Sequence, residues 1–457
     1  MIEEIKQKIE CGQAENLIRK GLYERSLRAE GCFGNSGQVD AQGIPILGRE
    51  KTSPSDPNVK TASDFVNLIG TEKAGYLAYN IQRIYKDDIE ESLREKYEDF
   101  DRLNAQSTLH SEIMEADAIM GDCFALYYIS NGEIKKKKIQ PWTAGIIYDE
   151  NNVPVYGYIY EDLNICISST TTLVRRIFVY DNIYRYEHEE RSYAKETTSN
   201  RWYLKEKAPH GFQEVPVNEF LNNNKKLGNA EKAIAYIDAY DRVLSDSTTE
   251  QSASRQAYLL LKAAGDIDEV FMEKLRKFGV MATTGDGDAK WLEKNLNPQF
   301  AALILKELEK NIYRFGIIVD NDRLMGISNP RKNQIEFIYR AMDNDCDTTE
   351  KQWKQSLERE DRILKSFWTT MASPSVADYD TFDIDYIFHR NKPEDPVADL
   401  EAMERAGVKL PNYHKLIKLG YEEEEARALS AEADEEMIAS FGDIDDTSDE
   451  EDEEGDN

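Results

Sequence analysis

Between Pro298 and Met371 the apolar residues hold a helical period, break over one polar loop, and resume for about twice the length of an ordinary helix. Pro298 sits where the first turn of a helix tolerates proline. Phe300, Leu303, Ile304, Leu308, Ile312 and Phe315 then recur at helical spacing, and Gly316 permits a stop. Gly326, Ser328, Asn329 and Pro330 punctuate the stretch Ile317–Lys332 as a loop. From Asn333 the period returns through Ile335, Ile338, Met342, Cys346, Trp353, Leu357, Leu364, Phe367 and Trp368. A long helix entered through an exposed loop points to a spanning strut more than to an enzyme pocket.

The rest of the chain is arranged around that strut as an α+β protein. Residues 1–30 read as helical, and 31–59, rich in Gly, Pro, Ser and Asn, as an irregular arm. Ser63 or Asp64 caps a helix with Phe65, Val66, Leu68, Ile69 and Ala74 on one stripe, and 84–118 is a further helical region. At Gly121 the period becomes strand-like. Cys123–Ile129 and Glu133–Ile139 flank an Asn131-Gly132 hairpin turn, and short strands follow at 145–148, 155–160, 173–180, 183–187 and 202–204. With no helices between them these strands form an antiparallel meander. A helix over 230–257 leads into a compact insert, 258–297, with a strand at 257–261, a short helix near 266–277, a strand at 279–282 and a turn at Gly285–Asp288. The helices 230–257 and 298–315 are amphipathic but flank only this small knob, so they need neighbours to bury their apolar faces. Phe382, Ile384 and Tyr386 alternate as a strand, and helices of 395–407, 411–418 and 421–439 follow.

At 457 residues the chain exceeds one simple core, so two or more domains are expected. Net charge is −30; the last fifteen residues hold ten carboxylates and no base, which leaves −20 for the preceding 442. Their composition is that of a disordered acidic tail, either solubilising or mimicking nucleic acid. An acidic body argues against tight, sequence-independent DNA binding, which rests on Lys and Arg neutralising phosphates, but not against a protein that DNA passes without sticking. Five scattered cysteines without metal-ligand spacing read as reduced thiols. No apolar run reaches spanning length and the first residues lack a signal-peptide core, so a soluble chain made in the cytoplasm is expected.

Few residues carry a pattern of chemistry. His188-Glu189 has the opening of a zincin motif, but Ser192 stands where the second histidine belongs. Asp343, Asp345 and Asp347 have the early spacing of a calcium loop, without its sixth-position glycine and with Lys354 in place of the bidentate Glu. They read as solvated carboxylates, as do Asp320 and Asp322. Gly285-Asp286-Gly287 lacks what a phosphate loop requires, and no Gly-x-Ser-x-Gly elbow is present. Neither an enzyme nor a bound cofactor or metal is expected. Lys135–Lys138 reads first as an edge strand guarded by lysines and second as a contact for an acidic partner.

Several stretches together resemble the portal protein of tailed double-stranded-DNA bacteriophages, of the long-tailed, Gram-positive-host type. Phe65–Leu77, with its Gly75-Tyr76-Leu77 step, resembles the family's N-terminal helix, and Asp122–Tyr128, Asn131-Gly132 and Gln140-Pro141-Trp142 its next sheet. His210-Gly211-Phe212-Gln213-Glu214-Val215-Pro216-Val217 resembles the segment before the stem. Ile237–Asp241 with Leu244-Ser245-Asp246 resembles the first stem helix, Ala257–Lys262 its exit, and Phe382–Asn391 the strand before the crown. Ile327–Lys332 departs from the Ser-Gly-rich step that relatives often carry there.

The resemblance implies a mostly helical portal fold with an antiparallel wing sheet and a long spanning helix. It implies a wing (1–228), stem helices (229–257 and 298–316), a clip (258–297), a channel loop (317–332), a long wing helix (333–371), a wing strand (372–391), crown helices (392–440) and the tail (441–457). It also implies a homo-oligomeric ring of about twelve copies, a dodecamer closed by head-to-tail contacts, at the portal vertex of a virion capsid assembled in the host cytoplasm. Its partners would be double-stranded DNA in transit, the terminase large subunit, a head-tail adaptor, and major capsid and scaffolding proteins, with no membrane. Arg323, Asn329, Arg331 and Lys332 are candidate contacts in the DNA-channel loop, either to phosphate or to neighbouring subunits, and Lys274, Arg276 and Lys277 are candidates on the clip surface. The other class of protein compatible with the long helices is a cytosolic scaffold or adaptor with no DNA role.

Overall fold

The structure, a computed structural model, describes residues 2–28, 61–86, 91–167, 170–191, 202–254, 258–262, 288–292, 298–320, 332–371, 384–392, 396–408 and 410–431. They belong to two compact units, Met1–Asn391 and Lys392–Asn457. The first opens with α1 (Ile2–Cys11), α2 (Gln13–Arg28), α3 (Phe65–Leu77), β1 (Asn80–Tyr85), α4 (Glu91–Leu103) and α5 (Gln106–Met120). Eight strands follow: β2 (Asp122–Ser130), β3 (Glu133–Ile139), β4 (Ala144–Tyr148), β5 (Pro154–Ile167), β6 (Thr170–Tyr180), β7 (Tyr184–Arg191), β8 (Trp202–Pro209) and β9 (Val217–Leu221). The unit continues with α6 (Asn229–Ser254), β10 (Tyr258–Lys262), β11 (Asp288–Leu292), α7 (Pro298–Gly316), α8 (Lys332–Met371) and β12 (Ile384–His389). The second unit holds α9 (Pro396–Arg405), α10 (Asn412–Lys418) and a helical stretch at 423–431, with Lys415 of α10 bridging to Glu404 of α9 at 2.7 Å.

Every strand pair is antiparallel. The meander β4 to β8 forms a five-stranded sheet in sequence order, and β9 returns to lie beside β2 in a second sheet ordered β3-β2-β9. Two smaller sheets pair β10 with β11 and β1 with β12. That last pair corrects the sequence reading. A helical region from residue 84 was expected; instead Asn80–Tyr85 is a strand whose partner lies some 300 residues on, Asn80 opposite His389 and Tyr85 opposite Ile384. Its alternation of exposed and half-buried residues is visible locally, but its partner is not.

The same region holds a second correction. Residues 84–118 do not make one helical region, because the chain breaks at Asn104-Ala105 and Ala105 adopts φ 45°. The break has a use. Asn104 donates its amide to Phe100 O and Ile134 O, and its Oδ1 accepts from the Lys136 backbone N–H. One side chain thus satisfies exposed backbone groups on the outer edge of β3, where an unpaired strand would otherwise template aggregation.

The 40-residue helix α8 organises the main core. Met342, Cys346, Thr349, Trp353, Ser356, Glu360, Ile363 and Phe367 are all buried and follow one another at steps of three or four. They meet α5, β2, β9 and β12; Trp353 is fully buried between Phe220 and Phe388 and donates its indole N–H to Asp117 at 2.8 Å. Gly121 ends α5 in a left-handed conformation, φ 93°, and a Cβ there would lie 2.1 Å from Lys226 O. Gly228 is pressed as closely on Ile119 O, so the 222–228 loop fits against the end of α5 only through two glycines.

The lysine run does form an edge strand, but one of its members is in the core. Lys136 and Glu360 have fully buried side chains and pair with each other. The Glu360 carboxylate also accepts from Tyr127 Oη and Gln106 Nε2, each at 2.6 Å. Next to it, burial raises the Asp361 carboxyl to about 7 against the opposing pull of Arg83, while Tyr386 Oη bonds both of its oxygens at 2.9 Å. Burying a charge is tolerable only with its partners in place, and removing one partner of a buried pair costs about 3–5 kcal/mol. Lys136→Met should therefore lower stability by about 3–5 kcal/mol in urea unfolding, whereas Lys137→Met, one residue along on the exposed side, should change it by less than about 0.5 kcal/mol.

Candidate functional site

The end of α7 meets the side of α8 thirteen residues into the longer helix, an elbow held by a buried polar joint. Lys73, in the apolar stripe of α3, is 2 % exposed. Its ammonium donates to Asn222 Oδ1 at 2.6 Å and to Asp345 Oδ2 at 2.5 Å. Asn229, at the start of α6, donates its amide to Asp345 Oδ2 at 2.8 Å and to Gly316 O, the last carbonyl of α7, at 3.3 Å. Asn222 donates in turn to Asn229 Oδ1, and Thr349 donates to Asn222 O. One cluster thereby joins α3, the 222–228 loop, α6, α7 and α8. Burial pushes the Asp345 carboxyl up, but Lys73, Lys232 and the hydrogen bonds outweigh it and hold the group below the usual carboxylate range.

Of the three aspartates with calcium-loop spacing, Asp345 is mostly withdrawn from solvent, while Asp347 stays exposed as the sequence suggested; all three have protein partners. Tyr76 donates to Asp343, Lys73 and Lys232 pair with Asp345, and Arg390 bridges Asp347 at 2.9 Å and Glu350 at 2.7 Å. Positions 343 and 347 share one face of the helix and 345 points to another, so the three carboxylates do not converge on one point. Among the described residues no group of three His, Cys, Asp or Glu side chains is placed to hold a metal ion. His188 is buried in the five-stranded sheet, paired across strands with Ile177 and Leu204.

The exit from α7 differs from the sequence reading as well. Gly316 was taken as the residue that permits the stop, but it is the last helical residue, and a Cβ on it would lie 2.8 Å from the Ile69 side chain. Its lack of a side chain lets α3 approach. Ile317 takes the left-handed position, φ 57°, and Ile318 N–H closes back on Tyr313 O at 3.2 Å, a Schellman-type cap. A β-branched residue in that conformation is strained, by roughly 1–2 kcal/mol. Ile318 and Val319 then turn into the main core, both buried.

Beyond the joint the two helices diverge and leave apolar surface in solvent. Phe300 is 60 %, Leu303 59 % and Phe337 75 % exposed. A groove of about 880 Å³ runs between α7 and α8, with Tyr313, Ile318, Phe337 and Met342 in its walls and Lys306 and Lys310 on its rim. α6 behaves otherwise: Ala230, Ala233, Ile234 and Ile237 are buried within the chain, Tyr236 stacks on Phe315, and Phe65 of α3 packs edge-on against Tyr240 and Tyr313. Against the expectation for both helices, the buried face of α6 is covered within the chain, while α7 keeps Leu303 exposed.

Of the residues named from sequence, Lys332 is the first residue of α8. Arg323, Asn329 and Arg331, and Lys274, Arg276 and Lys277, lie outside the described residues, as do the helix expected near 266–277 and the strand at 279–282. The strand that pairs with β10 is β11, at Asp288–Leu292, which the sequence reading did not mark. The joint was also missed. Its signal was a lysine inside an apolar helical stripe together with two asparagines flanking a glycine loop, and only the fold brings them to Asp345.

The fold is that of an α+β chain with antiparallel sheets packed around one 40-residue helix. Residues 38–437 match the family described as Phage portal protein, SPP1 Gp6-like, and the chain belongs to that family. The portal protein of Clostridium phage phiCD119 is 21 % identical over 365 residues, 74 % of this chain and 78 % of that one. That of Bacillus phage SPP1 is 28 % identical over 112 residues, 24 % of this chain and 22 % of its own length. A solved structure of the virion of a native gene transfer agent particle overlaps 78 % of this chain and 89 % of its own, with TM-score 0.37 and 12 % identity. The family sets aside the scaffold without a virion role. No helix among the described residues is long and apolar enough to cross a membrane.

The joint has a measurable pH signature. A carboxylate held below its ordinary pKa contributes stability above the unfolded value and loses it as pH falls through the folded one. Asp345→Asn should cost about 3 kcal/mol near neutral pH, because it leaves Lys73 buried without its counter-charge. The difference between variant and wild type in urea unfolding should shrink below about pH 4, where the unfolded aspartate also takes up its proton.

Proposed function

We propose that copies of this chain close into a ring at one vertex of a phage capsid, through which DNA enters during packaging and leaves on ejection. Membership of the portal family supports this reading, and the single structural observation that carries it is the apolar surface left uncovered on α7 and the start of α8. Leu303 and Phe337, each more than half in water, are the kind of apolar surface that a head-to-tail neighbour would cover. In this reading residues 1–228 with 333–391 form a wing, α6 and α7 a stem, 258–297 a clip, 317–332 a channel loop and 392–440 a crown.

The work of moving DNA would come from a separate terminase, and a head-tail adaptor would dock later. Arg323, Asn329, Arg331 and Lys332 would touch passing phosphates weakly, since tight sites would trap a moving duplex. Lys274, Arg276 and Lys277 would face a docking partner on the clip. The net charge of −30 suits a conduit that must not hold its cargo.

Two variants test the reading. Because Ile318 and Val319 are buried in the core, a loop deletion that spares the fold begins after Asp320, at residues 321–331. It should leave assembly intact and sharply reduce DNA-filled heads in a packaging assay; normal filling would discard the channel role. Leu303→Ser with Phe337→Ser should leave the melting temperature of the subunit within a few degrees and shift size-exclusion profiles toward monomer. An unchanged oligomer would remove α7 from the interface.

A further inference from the structure

A second groove, far in sequence from the elbow, lies between α2 and the β3 edge of the three-stranded sheet and extends over β5. Its volume is about 580 Å³, and its walls include Leu17, Lys20, Lys137, Trp142, Tyr160 and Glu161. Leu17 is 54 % exposed although it sits beside the Trp142 indole, which is itself held by Tyr23 at 5.2 Å between ring centres. The groove therefore has an apolar floor that is open to water.

Its rim is basic on a chain of net charge −30. Lys20 and Lys137 are exposed, and among the residues whose side chains are described neither has an ion-pair partner. Their neighbours in the same lysine run are already engaged: Lys136 with Glu360 in the core, Lys135 with Leu103 O at 3.1 Å, and Lys138 with Glu112. Solubility alone does not account for this placement, since the chain is already strongly charged with the opposite sign. Two cations flanking an indole and a leucine match a peptide that carries carboxylates and an aliphatic side chain together. A DNA duplex matches poorly. It is a convex rod too wide for such a groove, and Glu161 together with the acidic body repels phosphate.

We propose that this groove is a docking site for an acidic, apolar-bearing peptide segment of a partner protein. The carboxylates meet Lys20 and Lys137, the aliphatic side chain lies on Leu17 and Trp142, and the Glu161 end takes an uncharged part of the segment. The proposal does not depend on the elbow or on ring closure, because every residue in it belongs to α2, β3, β5 and the turn before β4.

Fluorescence anisotropy with the full-length chain tests it. The probes are a short labelled peptide of Asp, Glu and Leu, the matching peptide of Asn, Gln and Leu, and a labelled DNA duplex. The acidic peptide should bind about tenfold more tightly than its amide counterpart, and Lys20→Glu with Lys137→Glu should weaken it by about tenfold or more. Lys225→Glu, a charge reversal on a different exposed loop, should leave it unchanged. Melting curves establish that the variants fold, and the comparison of the two peptides on the wild-type chain decides the matter without any variant. Equal binding of the two peptides, undiminished binding by the double variant, or preferential binding of the duplex at this groove would overturn the proposal.

Discussion

A 40-residue helix must bury a stripe along most of its length, and α8 does so with charged groups inside that stripe. Asp345 and Glu360 are fifteen positions apart, about 22 Å along the axis at the α-helical rise. At the first, Lys73 and two asparagines fasten α8 to the ends of α6 and α7; at the second, Lys136, Tyr127 and Gln106 fasten it to α5 and the β2-β3 hairpin. Apolar contacts between these points give most of the favourable free energy, but they tolerate sliding. The ion pairs do not, because a one-turn slip would strand buried charges. The helix is thereby fixed in register against both ends of the unit, and the elbow and the sheets are held as parts of one frame.

That frame explains why uncovered surface is concentrated where it is. On α6 the buried residues face α3, α5 and α7 of the same chain. α7 packs on α6 and leaves Leu303 exposed, and Phe337 of α8 is exposed in the wall of the groove between the two helices. The strained Ile317 marks the same place: the exit from α7 is set by the approach of α3 to Gly316, and the next residue takes the left-handed turn that a glycine would take more readily.

Much of this was legible in the sequence because it depends on local period. The bounds of α7 and α8, the hairpin at Asn131-Gly132 and the antiparallel meander follow from spacing and turn chemistry within a few residues. What was not legible depends on partners distant in the chain. β1 is a strand because β12 lies beside it, and α5 starts anew because Asn104 is needed at the edge of β3. Lys136 resembles Lys135 and Lys137 in composition, and only the pleat of the strand, which turns alternate side chains inward, separates a core cation from two surface ones. Asp345 looked solvated for the same reason: its bases come from α3 and α6. The channel-loop and clip candidates rest on resemblance and on residue type.

The central claim is that the exposed face of α7 and the head of α8 is covered by another copy of the same chain. Negative-stain imaging of the purified full-length protein, with class averages examined for rotational symmetry, tests it most directly. The account predicts closed annuli with a central hole. Well-folded particles that remain single subunits, at high concentration and with capsid proteins present, would contradict it.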